Sequence, residues 1–229
     1  APARHQHSES HRISHCAAAV SAPHAGRIVL ASTSPSRLSI LRSAGIEPIV
    51  EPSDVDEDAA AAELTEPSPE EFVQHLAQAK ARAVSWRREK ENTATASDVI
   101  IGGDSMLLLD GELQGKPYTV EETVHRWQAQ RGKVAHLVTG HCVMYRGEVV
   151  TEAATTAVHF GDVSDADIRA YAKTNEPLLC AGAFTLEAMG GWFIDKIEGD
   201  PSSVIGLSLP VVRRSMEHFG LRVSDFWNL

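Results

Sequence analysis

DVIIGGDSMLLLDGELQGKP, residues 98–117, is the stretch whose reading decides the fold of this chain. An apolar run, Val99 to Ile101, meets Gly102 and Gly103 and then delivers Asp104. A second apolar run, Met106 to Leu109, ends at Asp110-Gly111, and a further turn exposes Lys116 before Pro117. Glycine permits close backbone approach, and a carboxylate at a strand end is a common way to aim a base or a metal ligand. A lysine on the neighbouring loop is placed to meet a phosphate.

Upstream, residues 28–31 read as a short strand, followed by the polar turn Ser32-Thr33-Ser34-Pro35. Residues 37–44 show helical periodicity, which Gly45 ends, and Pro35 suits a first helical turn. Residues 46–50 read as a second strand. The acidic stretch Glu51, Asp54, Asp56, Glu57 and Asp58 reads as a solvated loop. A helix is expected over residues 69–88, with Phe72, Leu76, Ala79, Ala83 and Trp86 as its apolar side. Lys80 lies well inside that helix, a poor place for an unpaired lysine unless the face borders a charged cleft.

Downstream, a helix is expected over residues 119–131. Two strands follow at 133–145 and 149–160, the first interrupted at Thr139-Gly140 and the pair joined by an Arg146-Gly147 turn. Ser164 can cap a helix over 165–173, a strand is expected at 192–197, and an amphipathic helix closes the chain over 209–219. Strands separated by helices imply an α/β protein. The adjacent strands between 133 and 160 argue against an all-parallel sheet.

A chain of 229 residues accommodates one domain or a compact two-lobed unit. The formal charge of -10 excludes a broad basic nucleic-acid surface, though not a local cluster of cations for phosphates. No apolar run approaches a membrane span. Cys16, Cys142 and Cys180 lack metal-ligand spacing and read as reduced structural thiols of a cytoplasmic protein. Residues 1–26, rich in His, Ser, Ala and Pro, are expected to be a disordered or appended extension, with the folded domain over 27–229.

Context picks out a cationic set, Arg37, Lys80 and Lys116, and an acidic set, Glu57, Asp104 and Glu187. Carboxylates can hold magnesium and activate water, and cations stabilise charge on a phosphoryl group under attack. The Ser32–Ser34 hydroxyls and helix-start amides make a plausible phosphate seat, but the glycine spacing of a P-loop is absent. Taken singly, each residue also has an ordinary role: Asp104 in a turn or cap, Lys116 in a solvated turn, Arg37 supporting its helix, Glu57 and Glu187 as surface charge.

Seven segments in order, LASTSPSRLSILRSAGI (30–46), SDVDED (53–58), LAQAKARA (76–83), IIGGDSMLLLDGELQGKP (100–117), VTGHCVM (138–144), AYAKTNEPLLCAGAF (170–184) and GDPSSVIGLSLP (199–210), together resemble the Maf family of nucleoside triphosphate pyrophosphatases. The resemblance implies a mixed, twisted sheet with flanking helices, related to the inosine triphosphate pyrophosphatases, in which two lobes surround a nucleotide cleft. It further implies Mg²⁺- or Mn²⁺-assisted hydrolysis of a nucleoside triphosphate to its monophosphate and pyrophosphate, with homodimers common. Substrates in one branch are dTTP, UTP and CTP, and in another 7-methyl-GTP. The inferred task is removal of aberrant or surplus nucleotides, and a role in septum formation or division is also associated with the family.

Carried onto this chain, the resemblance makes Asp104 the water-activating base and Glu57 a metal ligand or assistant to that base, with Asp104 sharing the metal. Arg37, Lys80 and Lys116 would hold the triphosphate, with Ser32 and Ser34 at its seat. Three departures fall at positions associated with base selection: Ser36 for the usual first arginine, Ser105 for a common threonine, and Glu187 where the pyrimidine branch usually has glutamine. Glutamate only accepts hydrogen bonds when ionised, so base preference is left open between pyrimidine or modified-base substrates and 7-methyl-GTP. A catalytically weak nucleotide-binding regulator of cell division is the nonenzymatic alternative.

Overall fold

A computed structural model describes residues 26–229; apart from Gly26, the extension over 1–26 lies outside the described residues. In chain order the elements are β1 (Ile28–Leu30), α1 (Pro35–Ser43), β2 (Ile49–Val50), α2 (Glu57–Ala62), α3 (Pro69–Lys90), β3 (Val99–Leu109), β4 (Glu112–Gln114), α4 (Val120–Gln130), β5 (Val134–Tyr145), β6 (Glu148–Phe160), α5 (Asp165–Lys173), β7 (Ile194–Glu198), α6 (Pro201–Ile205) and α7 (Leu209–His218). The strands form one mixed sheet in the order β2-β1-β3-β5-β6-β7, with β4 also paired to β3. β1 runs parallel to β2 and β3, and the remaining pairs are antiparallel. This is the expected α/β architecture. Among the described residues, no helix is long and apolar enough to cross a membrane.

The two apolar runs of residues 98–117 belong to one strand. β3 continues unbroken through Gly102, Gly103 and Asp104, so Asp104 lies inside a strand rather than at its end. β5 likewise passes through Thr139-Gly140 without interruption. The glycines serve close packing: a Cβ on Gly102 would lie 2.3 Å from the Ala77 carbonyl oxygen, and one on Gly140 2.3 Å from the Val73 carbonyl. Both contacts are with α3, which therefore lies directly on the sheet.

Alternation along β3 divides its work. Val99 and Ile101 enter one apolar cluster with Leu30, Leu41, Leu207 and Met216, whereas Leu107 and Leu109 enter another with Trp127, Leu137, Ile168 and Phe184. Ile100, on the opposite face, packs with Ala77, Ala81 and Val84 of α3. One edge of β3 pairs with β5 over most of its length. The other pairs with β1 at residues 99–101 and with β4 at 107–109. Among the described residues, 102–106 have no strand partner on that second edge, and the cleft opens at this gap.

Local chemistry fixes several boundaries. Asp110-Gly111 and Arg146-Gly147 have positive φ at both positions and close two-residue hairpins, as expected. Ser68 and Glu71 form a reciprocal capping box at the start of α3. The apolar side of α3 is rotated from the expected one. Val73, Leu76, Ala77, Ala81 and Val84 are buried, while Trp86 is 63% exposed. Ala77 and Ala81 stand over Gly102, where the close approach of the helix leaves no room for larger side chains. The acidic stretch is not all loop: Asp56 caps α2 through the Ala59 amide, and Glu57 begins that helix.

Candidate active site

Lys80 projects from the buried face of α3 toward Asp104 on the same side of the sheet. Its Nζ lies 2.9 Å from Asp104 Oδ1 and 2.9 Å from Glu57 Oε1, so one ammonium bridges two carboxylates. Asp104 is buried, and its Oδ2 has no hydrogen-bond partner among the described residues. Burial holds the Asp104 carboxyl above its ordinary range, against the pull of Lys80 and Arg37, with Glu57 adding to the rise. Burial also tends to raise Glu57, but its hydrogen bond to Lys80 and the charges of Lys80, Lys116 and Arg37 bring it below the ordinary range. Two carboxylates in one cleft are thereby pushed in opposite directions.

Arg37 reaches the same place from α1. Ser34 caps that helix, accepting the Arg37 amide at 3.4 Å, and Pro35 occupies the first turn. The guanidinium donates from Nε to the Gly206 carbonyl at 2.7 Å, from Nη1 to Ser32 Oγ at 3.5 Å and from Nη2 to Ser105 Oγ at 3.1 Å. A Cβ on Gly103 would meet Arg37 Nε at 2.9 Å, so the second glycine makes room for this side chain. Burial lowers the Arg37 pKa, partly offset by Asp104 and Glu57. Its hydrogen-bond partners are oxygens of neutral groups, and Asp104 and Glu57 act on its charge without forming an ion pair with it among the described residues.

The support behind Arg37 runs across the sheet. Ser105 Oγ lies 2.9 Å from Thr139 Oγ1, which in turn donates to the Ser203 carbonyl at 2.8 Å. Ser208 donates its amide to His141 Nε2 at 2.8 Å, leaving Nδ1 to donate to the Glu152 carbonyl at 3.0 Å. Burial pushes His141 down to about 4, so it serves as a neutral anchor for the segment that presents Gly206.

The opposite wall carries Lys116, Tyr118 and residues 179–187. Trp127 Nε1 donates to the Ala183 carbonyl at 2.7 Å and Gln130 Nε2 to the Gly182 carbonyl at 3.0 Å, pinning this wall to α4. Lys116 is exposed at the cleft and has no ion pair among the described residues. Glu187 stands at the rim. Partial burial raises its carboxyl above the ordinary range, opposed by its own backbone amide and the Ser36 hydroxyl.

Ser34, Ser36, Arg37, Glu57, Lys80, Asp104, Ser105, Lys116 and Glu187 thus line one cleft of about 260 Å³. Ser32 is the exception among the expected site residues. It is buried behind Arg37, and its hydroxyl also accepts the Ser34 amide at 3.1 Å, so it supports the seat rather than facing it. Sequence reasoning missed Asp58 and Tyr118, which face the same cleft. Asp58 follows Glu57 in an unrecognised helix; Tyr118 directly follows the Gly-Lys-Pro turn, and its aromatic character was the available signal.

Among the described residues, no group of three or more His, Cys, Asp and Glu side chains is arranged to hold a metal ion. Two carboxylates do meet here, however, and Asp104 Oδ2 is an orphaned buried acceptor. That donor set suits Mg²⁺ or Mn²⁺, hard cations often held by one or two carboxylates, with substrate phosphates and water completing the coordination.

A sequence model of the family described as "Maf-like protein" matches residues 27–219. A protein of Corynebacterium diphtheriae named nucleoside triphosphate pyrophosphatase is 64% identical over 202 residues, 88% of this chain and 98% of the relative. Its counterpart in Corynebacterium efficiens is 61% identical over 201 residues, with the same shares covered. A protein of that name in Rhodococcus jostii is 52% identical over 205 residues, 87% of this chain and 95% of its own length.

Proposed function

The chain belongs to the Maf family, and from that premise we propose that it is a nucleoside triphosphate pyrophosphatase, cleaving the α-β phosphate bond to release a nucleoside monophosphate and pyrophosphate. The observation that carries the reading is the Lys80 bridge between Asp104 and Glu57, with Arg37 and Lys116 lining the same cleft. Three cations around two carboxylates suit a polyanion whose cleavage also needs a base.

In this reading Asp104 accepts the proton of the water that attacks the α-phosphorus. Lys80 holds Oδ1, so Oδ2 is the oxygen available for that proton. A carboxyl above its ordinary range is a stronger base than one in open water. Arg37 presents a fixed fork to phosphate oxygens, and Lys116 adds a mobile charge. Together the cations offset the charge that develops on the leaving pyrophosphate. Glu57 would hold Mg²⁺ or Mn²⁺, which supplies charge neutralisation and Lewis acidity to the phosphates when bound; Asp104 Oδ2 can serve the ion or the water's proton, and in this reading it takes the proton.

Base selection falls to Ser36 and Glu187 at the rim. An ionised Glu187 offers only acceptors, which fits the amino and ring N–H edge of a guanine-type base better than a pyrimidine carbonyl. This favours 7-methyl-GTP as the second reading beside dTTP, UTP and CTP.

Product analysis with dTTP, UTP, CTP, 7-methyl-GTP and ITP, in the presence of Mg²⁺ or Mn²⁺, tests both levels. Monophosphate plus pyrophosphate is expected. Diphosphate plus orthophosphate would mean another phosphohydrolase reaction, and binding without turnover would favour the nucleotide-binding regulator. Equal rates on all bases would remove the role given to Glu187.

A further inference from the structure

Tyr118 is 64% exposed, has φ +64° and lines the cleft, a combination that the phosphate chemistry does not use. The left-handed backbone region is rare for a residue carrying a Cβ, and rarer for a bulky one. The surrounding contacts impose it. Pro117 is buried, the Tyr118 amide donates to the Leu178 carbonyl at 2.8 Å, and Thr119 immediately afterwards caps α4.

Leu179, also 64% exposed, lines the same cleft on the segment that Tyr118 grips through this hydrogen bond. Trp86 and Trp192 are exposed too, but neither faces the cleft. Two large apolar side chains therefore flank a mouth whose floor is charged, and one stands two residues from Lys116. A nucleotide has the matching asymmetry, with a polyanionic end and a flat base whose faces are apolar and whose edges are polar.

We propose that Tyr118, with Leu179 lining the same cleft, is the platform on which the face of the nucleobase stacks. This rests on the nucleotide reading of the cleft and adds a division of labour: Tyr118 takes the face of any base, while Ser36 and Glu187 meet its edge. Stacking on an aromatic ring is tolerant of base identity, so the contribution is common to all accepted nucleotides.

The test compares the full chain with Tyr118→Phe and Tyr118→Asn, since asparagine tolerates the left-handed conformation and preserves the turn. Calorimetric affinities are measured for uncleavable α,β-methylene analogues of UTP and GTP and for inorganic tripolyphosphate, which has no base. Tyr118→Asn is expected to weaken both analogues about tenfold, as loss of one stacking contact implies. Tyr118→Phe should retain their affinity, and tripolyphosphate binding should be the same in all three proteins. Unchanged analogue affinity in Tyr118→Asn would overturn the proposal, as would a parallel loss for tripolyphosphate or no analogue binding by the parent chain. Absence of turnover on ordinary triphosphates would instead overturn the pyrophosphatase reading, while the binding comparison still decides Tyr118.

Discussion

Lys80 Nζ and Asp104 Oδ1 lie 2.9 Å apart with both side chains about nine-tenths buried, and the same ammonium holds the more exposed Glu57. The two are not equally dependent: without Asp104 the Lys80 ammonium still has Glu57, whereas among the described residues Asp104 has no ion pair besides Lys80. Removing one partner of a buried pair leaves the survivor desolvated, at a cost of about 3–5 kcal/mol. Lys80→Met is therefore expected to destabilise the fold by that order, and Lys80→Met/Asp104→Asn to recover most of the loss in urea titrations. Asp104→Asn alone should remain folded and lose about 10²–10⁴-fold in turnover, the usual contribution of a general base. Near-parental rates in a folded Asp104→Asn protein would assign the base elsewhere.

Much of this arrangement was legible in the chain, for reasons that differ from residue to residue. Asp110-Gly111 and Arg146-Gly147 were readable because a two-residue hairpin turn is decided by its own backbone chemistry. Gly102-Gly103 reads correctly as a place of close backbone approach but wrongly as a strand end, and Gly140 as an interruption, because nothing local separates a glycine that breaks a strand from one that admits a neighbour. What decides it is α3, a contact remote in sequence. The same contact explains the misread face of α3: bulk favoured Phe72 and Trp86, but glycine backbones on the sheet select Ala77 and Ala81. Lys80 was the better clue, since an inward lysine implies a carboxylate opposite. Arg37, Glu57, Lys116 and Glu187 were found through the order of motifs, whereas the support from Thr139, Ser203 and His141 is tertiary and has no local signature.

The glycine contacts carry a prediction of their own. In Gly102→Ala or Gly140→Ala the new methyl would sit 2.3 Å from α3 backbone atoms, closer than any side-chain rotation can relieve. The helix must shift, at a cost of about 1–3 kcal/mol or more for overpacking. Because Lys80 rides on that helix, activity should fall even where the protein stays folded. Thermal melts and rates measured together check this. Full activity in either variant would show that the Lys80–Asp104 distance tolerates movement of α3.

His141 predicts an acid limb in stability. Its folded pKa is near 4 against an ordinary value of 6.5, because burial disfavours the charged ring. Above pH 6.5 both states are neutral and the full stability is present. As pH falls from 6.5 toward about 4, the unfolded chain takes up a proton that the folded chain refuses, and stability declines by about 3 kcal/mol from this residue. Asp104 acts in the opposite sense: a carboxyl raised by folding regains stability as pH drops through its folded value. Denaturant titrations between pH 7.5 and 4, compared with His141→Gln, isolate the histidine. A decline of equal steepness in both proteins would remove its role.

Arg37 tests whether geometry or charge alone serves the phosphates. Its guanidinium is fixed at three points, Gly206, Ser32 and Ser105, and only a planar fork can satisfy these while facing the cleft. Arg37→Lys keeps the charge but can reproduce no such set, so phosphate alignment is lost while electrostatic attraction persists. The expected result is a fall in kcat/KM of about 10- to 100-fold, matching one charged hydrogen bond of about 1.5–3 kcal/mol. Ser105→Ala, which releases only Nη2, should show a smaller loss in the same direction. Measured with one triphosphate at constant metal concentration, the two variants rank the contributions. If Arg37→Lys matched the parent while Ser105→Ala did not, the serine would be acting on substrate directly, and its contact with Arg37 would be incidental.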